Sequence, residues 1–354
     1  MSSTPSVHMV AVGDIMLGRG VGQTNFTNAT ELLASELLSK LTGDIVTGNL
    51  ECLIGTAGLP NPTSHSHFQS DPDFARPLIE RFDVVTLANN HAADFGDEAI
   101  EESLAWLEKI GVRHVGIGAS LEEAIEPSLF HIRGQKIAIF GATTVSPLSS
   151  HSRYIHAVPC RTLYKRADVL IRDGYRCVLH LHAGGGDICY PAPAIRRLMY
   201  EVRQAGFSIV LGHHPHVMQG SDRTSDGTVF FSLGDFVFDK LADGRDQALI
   251  VSIEVGEDAR ADVISSDVVQ RTSDLRLFLL SGKARKAAIQ RLDELSEMIS
   301  SGQSDKHYLE WRGSKWRRLI QSVRRDFQVG GIAALRAKFS RINSQKLTDL
   351  LFRR

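Results

Sequence analysis

Nine side chains able to hold or move charge recur in five short clusters: Asp14; Asn49 and Glu51; Asn90 and His91; His182; and His213, His214 and His216. Imidazole suits zinc, iron and nickel, while carboxylate and amide oxygens suit manganese, magnesium and calcium, so the set matches what a divalent metal takes. Two metals about 3.5–4 Å apart would share a carboxylate bridge and an activated water. Singly, each cluster is weak, because a Gly-Asp after an apolar run is commonly a turn and a lone histidine more often packs than ligates. His213-His214-Pro215-His216 carries more, since three imidazoles within four residues rarely serve packing. Five such clusters in equivalent positions point to one site.

Those positions are the ends of short apolar, β-branched runs. Residues 7–12 lead into Gly13-Asp14, 45–47 into Gly48-Asn49-Leu50-Glu51, 83–88 into Asn89-Asn90-His91, 177–181 into His182, and 208–211 into Gly212-His213. Between them, 31–41, 97–110 and 192–205 show the 3.6-residue apolar spacing of amphipathic helices. Alternation of this kind predicts an α/β fold with outer helices, and in such sheets ligands bind where strands surface. Runs at 228–233, 248–255 and 262–269 follow one another across turns and predict an antiparallel extension. From about Asp274 the pattern becomes charged helices at 284–299, 306–327 and 332–339. The expected division is a catalytic domain over 1–270 and a helical extension over 271–354.

Composition is that of an ordinary globular protein, with 43% apolar and 23% charged residues. The net charge of -1 hides a split: from Arg271 onward 19 Lys+Arg face 8 Asp+Glu, a balance of +11, against -12 before it. Cys52, Cys160, Cys177 and Cys189 form no C-x-x-C pair, which argues against a zinc ribbon and for reduced thiols. No apolar run approaches the ~20 residues that span a bilayer, and the polar N-terminus lacks a secretory pattern. The expectation is a cytoplasmic protein.

The motifs 13–19 (Gly-Asp-Ile-Met-Leu-Gly-Arg), 48–51 (Gly-Asn-Leu-Glu), 88–91 (Ala-Asn-Asn-His), 115–119 (Val-Gly-Ile-Gly-Ala), 212–216 (Gly-His-His-Pro-His) and 231–237 (Phe-Ser-Leu-Gly-Asp-Phe-Val) resemble, in order, those of the CapA family associated with poly-γ-glutamate capsules. The resemblance runs from about His8 to Asp239. It implies a calcineurin-like metallophosphatase fold, two packed mixed β-sheets flanked by helices, with the site at one edge. It places Asp14 and His216 on one divalent metal (manganese, zinc, iron or calcium) and Asn90, His182 and His214 on another, with Glu51 or Asn49 bridging. His91 matches the general acid of the superfamily, with Asp94 as its orienter. Arg19, His213, Ala183, Gly184 and Asp235 are expected at the substrate. Where the family reads His-Trp-Gly-x-Glu, this chain reads His182-Ala183-Gly184-Gly185-Gly186-Asp187, so Ala183 is expected to open space and Asp187 to replace the missing carboxylate. The family's Gly-Asn-Phe is Gly234-Asp235-Phe236 here, and its usual N-terminal membrane anchor is not expected.

These residues support a metal-dependent hydrolase acting on an amide-linked or phosphorylated substrate, poly-γ-glutamate or a peptide among them. A second reading is epimerisation of a peptide α-carbon by paired His and Asp groups. A third is a non-catalytic subunit of a capsule-synthesis complex. The basic tail around Trp311 and Trp316 is expected to pack as a helical hairpin. Its alternative is contact with an anionic polymer or, peripherally, an anionic membrane. No motif argues for nucleic acid.

Overall fold

A computed structural model describes residues 6–62, 64, 66–145, 152–239, 246–256, 263–314, 317 and 321. The strands in chain order begin with β1 (Val7–Ile15), β2 (Ile45–Leu50), β3 (Leu53–Ile54), β4 (Gln69–Ser70), β5 (Val84–Thr86) and β6 (Arg113–Val115). They continue with β7 (Ile117–Gly118), β8 (Ser128–Ile132), β9 (Gln135–Thr143), β10 (Ile155–His156), β11 (Arg176–His182) and β12 (Phe207–His213). The last are β13 (Ser221–Thr224), β14 (Gly227–Phe230), β15 (Asp235–Val237), β16 (Gln247–Val255), β17 (Val263–Arg271) and β18 (Leu277–Leu279). The first sheet runs β18-β17-β16-β1-β2-β5-β6, with β15 beside β1, and the second runs β13-β14-β12-β11-β9-β8.

Strand residues alternate faces, so a strand covered on both sides is apolar throughout. On β1, Met9 and Ala11 join Ile139, Val178 and Leu211 of the second sheet in the layer between sheets. Val10 and Val12 face outward with Phe74 and Ala99, which belong to α3 (Pro72–Ile79) and α4 (Asp97–Lys109). Shorter helices α1 (Arg19–Gly22) and α2 (Ser35–Lys40) precede these, and α5 (Leu121–Ala124) follows them. The outer face of the second sheet is covered by α6 (Arg161–Arg172) and α7 (Pro193–Gln204), whose Leu163 and Met199 pack on Leu179 and Val210. The result is helices, sheet, sheet, helices, the expected α/β architecture.

Three features differ from the sequence reading. The 228–233 run does not extend the first sheet: β14 pairs parallel to β12 in the second. The amphipathic stretch 31–41 breaks at Leu33, whose extended backbone bridges Leu277. Beyond the expected boundary at 270, β18 pairs with β17, and α8 (Gly282–Ser300) sends Ala288 and Leu292 into the inter-sheet layer. The next segment is also tied down, with Arg196 bonded to Asp305 at 2.8 and 3.0 Å. Trp311 is half-buried beside Tyr308. The hairpin expected over 306–327 and 332–339, Trp316 included, lies mostly outside the described residues.

His156 on β10 is enclosed with neither ring nitrogen hydrogen-bonded, and burial pushes its pKa down to about 4. The fold therefore holds the neutral ring, whereas an unfolded histidine titrates near ~6.5. Stability is unaffected above that value and declines as the pH falls from ~6.5 toward 4, by about 3 kcal/mol at most. His156→Leu is expected to flatten that part of the acid melting curve relative to wild type. Parallel curves would show that the ring finds a partner on protonation.

Candidate metal centre

Parallel strands of both sheets release their C-terminal ends at one edge of the sandwich. β1, β2 and β5 run parallel in the first sheet, and β11 and β12 in the second. In-sheet register aligns Asp14 with Asn49 and His182 with His213. The β1 position before Asp14 needs glycine: a Cβ on Gly13 would lie 1.9 Å from the Gly234 carbonyl oxygen, where the chain entering β15 closes in. Asp14 N–H donates to that same carbonyl.

Donor atoms of Glu51, His182 and His214 lie within 4.8 Å of one another, and so do those of Asp14, Glu51 and His216. The Asn90 side-chain oxygen sits 2.7 Å from His182 Nε2, beside the first group. Glu51 belongs to both, the position a bridging carboxylate takes. Asn49 is turned to a different task. Its amide donates to Asp14 Oδ1 (2.8 Å) and lies 3.3 Å from His182 Nδ1, while its oxygen accepts from Asn89 (3.1 Å). It straps the ligands together, which leaves Glu51 to bridge.

The electrostatics fit a cation. Burial alone would raise the Asp14 carboxyl, but the hydrogen bond and charge of His213, with His182 and His216, hold it well below the usual carboxylate range. Burial, reinforced by His214, keeps the His182 imidazole neutral. An ionised carboxylate and a neutral imidazole are the forms that ligate metals. His214 and His216 sit at φ +91° and +62°, and Arg19 and Asp187 at the rim are also left-handed. Each such residue stores on the order of 1–3 kcal/mol, the kind of strain that collects at functional sites.

His91 stands beside this centre. Its Nδ1 lies 2.7 Å from Asp94 Oδ2, and its Nε2 lies 3.8 Å from Glu51 Oε1. The ring stacks on Phe68 with centroids 3.7 Å apart, and the Phe68 N–H donates to the same Asp94 oxygen. Arg19 packs its guanidinium over the Phe68 ring while paired with Asp239. Phe68 does not figure in the sequence reading. His67 bonds the Asn61 carbonyl, and His65 lies outside the described residues.

Several residues expected at the substrate are placed elsewhere. His213 is wholly buried behind Asp14, bonding it through Nδ1 (3.0 Å). Ala183 packs in the apolar layer under α6 and α7, so it opens no space at the centre. Gly184 is buried at φ +102° beside Pro215. Asp235 is also buried and holds His216 Nδ1 at 2.8 Å, with the buried Arg271 donating to its backbone carbonyl. Asp187 lies exposed on the rim, tied to the His214–His216 loop by its N–H to the Pro215 carbonyl, and belongs to neither donor group.

The model of the family described as bacterial capsule synthesis protein PGA_cap matches residues 8–240, the stretch that supplies every donor above. The chain belongs to that family. This PGA_cap member is 27% identical over 247 residues to capsule biosynthesis protein CapA of Bacillus anthracis, covering 66% of this chain and 60% of that one. It is 28% identical over 264 residues to PGA biosynthesis protein CapA of Bacillus subtilis (strain 168), covering 68% and 65%. A probable polyglutamine synthesis accessory protein of Mycobacterium tuberculosis is 24% identical over 334 residues, covering 78% and 88%. The chain thus spans under two thirds of the length of both Bacillus relatives. A crystal structure of a hypothetical protein from Thermus thermophilus aligns over 75% of this chain and 100% of its own at 16% identity, TM-score 0.42. Among the described residues no helix is long and apolar enough to cross a membrane.

Where the resemblance leads one to expect Gly-Asn-Phe, this chain has Asp235 paired with His216. A carboxylate on the second nitrogen of a ligating imidazole fixes its tautomer and raises its basicity, typically worth roughly 10–100-fold in metal affinity. Asp235→Asn is therefore expected to weaken by about that factor the binding of a cation that His216 would hold through Nε2, with Nδ1 on the carboxylate. Isothermal titration with Mn2+ reads it, and unchanged binding would reduce the pair to packing.

Proposed function

We propose that this chain is a metal-dependent hydrolase acting on an amide-linked or phosphorylated substrate, with poly-γ-glutamate-like chains as the preferred class. One arrangement carries the reading: Glu51 shared between two donor groups, with the His91–Asp94 pair opening onto it. The donor set of carboxylates, one carboxamide and imidazoles fits manganese, iron or zinc better than calcium, which takes oxygen ligands. Divalent cations held there would supply Lewis acidity, lowering the pKa of coordinated water toward roughly 7. Asp14, Glu51 and His216 would hold one cation, and Glu51, Asn90, His182 and His214 the other. His91, fixed by Asp94 and clamped by Phe68, is set to deliver a proton to the leaving group through Nε2. Arg19 at the rim offers positive charge to an anionic substrate.

The names of the relatives, capsule, PGA and polyglutamine synthesis, favour an amide-linked polymer of glutamate or glutamine as substrate. Epimerisation is less well supported, because Asp235 is committed to His216 and Asp187 is an exposed rim residue that belongs to neither donor group. The test is turnover by Mn2+-, Fe2+- or Zn2+-loaded protein of γ-glutamyl oligopeptides and of p-nitrophenyl phosphate, with chiral analysis of the products. Metal-dependent release of amine or phosphate is expected. Inverted stereocentres without cleavage would establish the epimerase instead, and no turnover by metal-replete protein would leave a binding subunit.

A further inference from the structure

Behind the metal centre a line of polar side chains crosses the otherwise apolar layer between the sheets. Alternation on β11 sends Val178, His180 and His182 to the same face, so His180 lies one step below the site. On β12 the same rule stacks Ile209, Leu211 and His213, and on β2 it points Thr47 alongside Asn49. Thr47 Oγ1 lies 2.9 Å from His180 Nε2, and His180 Nδ1 lies 2.9 Å from His213 Nε2. His213 Nδ1 then meets Asp14 Oδ1 at 3.0 Å. The two rings stack with centroids 5.1 Å apart and planes 17° apart, and Thr47, His180 and His213 are fully buried.

One end of this line is fixed: the Asp14 carboxylate only accepts, so His213 Nδ1 donates to it. The facing nitrogens of His213 and His180 share one proton, and the Thr47 hydroxyl closes the far end as donor or acceptor. A buried polar chain with all its members satisfied is rigid. This one starts on β2 of the first sheet, passes through β11 and β12 of the second, and returns to β1 of the first.

We propose that the Thr47–His180–His213 relay is a positioning device for Asp14, selectively tightening the metal position built by Asp14, Glu51 and His216 over the one built by His182, His214 and Asn90. The inference rests on the two-metal reading above. Asp14 also reaches the other position, through Asn49 to His182 and by accepting the His214 N–H, but it is a donor only to the first, so the larger effect falls on that cation. The relay also explains why His213 is needed beside the two ligating histidines of its loop: its place is behind the carboxylate.

The experiment compares His213→Asn with His213→Gln. The asparagine amide falls where Nδ1 lies and still donates to Asp14, whereas the glutamine amide falls near Nε2 and does not. Mn2+ is titrated into metal-free protein by calorimetry, and electron paramagnetic resonance separates coupled pairs from single ions. Wild type is expected to take two coupled ions. His213→Gln should hold one nearly as tightly as wild type and the second roughly 10–100-fold more weakly, the usual effect of losing a ligand's hydrogen-bond partner, while His213→Asn, which keeps the bond to Asp14 but not the one to His180, recovers most of that affinity and falls short of wild type. Equal weakening of both ions, or equal binding by the two variants, overturns the relay. If His213→Gln does not fold, Thr47→Val removes the terminal hydroxyl with almost no change of shape. A smaller weakening of the same single ion is then expected, and wild-type affinities overturn the proposal. A wild type that takes no metal overturns the two-metal reading itself, and the relay with it.

Discussion

Glu51→Ala is expected to strip both metals from the protein, whereas His216→Ala removes one. The difference follows from position: Glu51 lies in both donor groups, and His216 in a single one. A supporting residue is worth roughly 10–100-fold in affinity, so loss of a shared ligand exceeds that at each position. Elemental analysis after gentle purification and Mn2+ readdition gives the stoichiometry, with circular dichroism confirming the fold. Because Glu51 is fully buried, Glu51→Gln serves as the shape-retaining companion, keeping an oxygen ligand without the charge. Two metals retained in Glu51→Ala would remove the bridge from the site.

His91→Ala is expected to leave metal content intact and lower kcat by roughly 10²–10⁴, the usual worth of a positioned general acid. At ~1.4 kcal/mol per tenfold, that is about 3–5 kcal/mol of transition-state stabilisation. Asp94→Asn should lose part of the same factor, since it keeps the ring's partner but not its charge. Burial already draws the His91 pKa down, against the opposing pull of Asp94. The rate is measured on whichever probe substrate the metal-loaded wild type turns over. Loss of metal in His91→Ala would make His91 a ligand and move the proton donor elsewhere.

The convergence of Asp14, Glu51, Asn90, His182, His214 and His216 was legible in the sequence because each closes an apolar run, and runs of that kind end at one edge of a sandwich. The layered α/β architecture followed from the same alternation. What was not legible depends on packing across sheets. The run at 228–233 follows the second sheet's last ligand strand, and nothing in its composition distinguishes a parallel partner for β12 from an antiparallel partner for β16. His213 reads as a site residue because it adjoins His214, yet it is the last residue of β12 and bonds Asp14 from behind, whereas His214 lies past the strand in a left-handed bend. His180 carried a usable signal in Val178-Leu179-His180-Leu181-His182, where two-residue spacing sets it on the ligand's own face. Phe68 carried none, for its role arises from a loop that folds back across the sequence to His91.

The strand bearing Asp14 is central only because residues made much later flank it. β1 pairs on one side with β2 and on the other with β16, where Val7 meets Val255. At a synthesis rate of ~5–20 residues per second, the first strand waits roughly 12–50 s for that partner. Until then one side of β1 is an open apolar edge, the kind of surface that recruits other chains. Pairing across so long a stretch of sequence is also slow in itself. The inter-sheet layer closes only when α8 delivers Ala288 and Leu292, beyond the end of the stretch that the family shares. The metal centre is thus written mostly in the first two thirds of the chain but assembled by the last third.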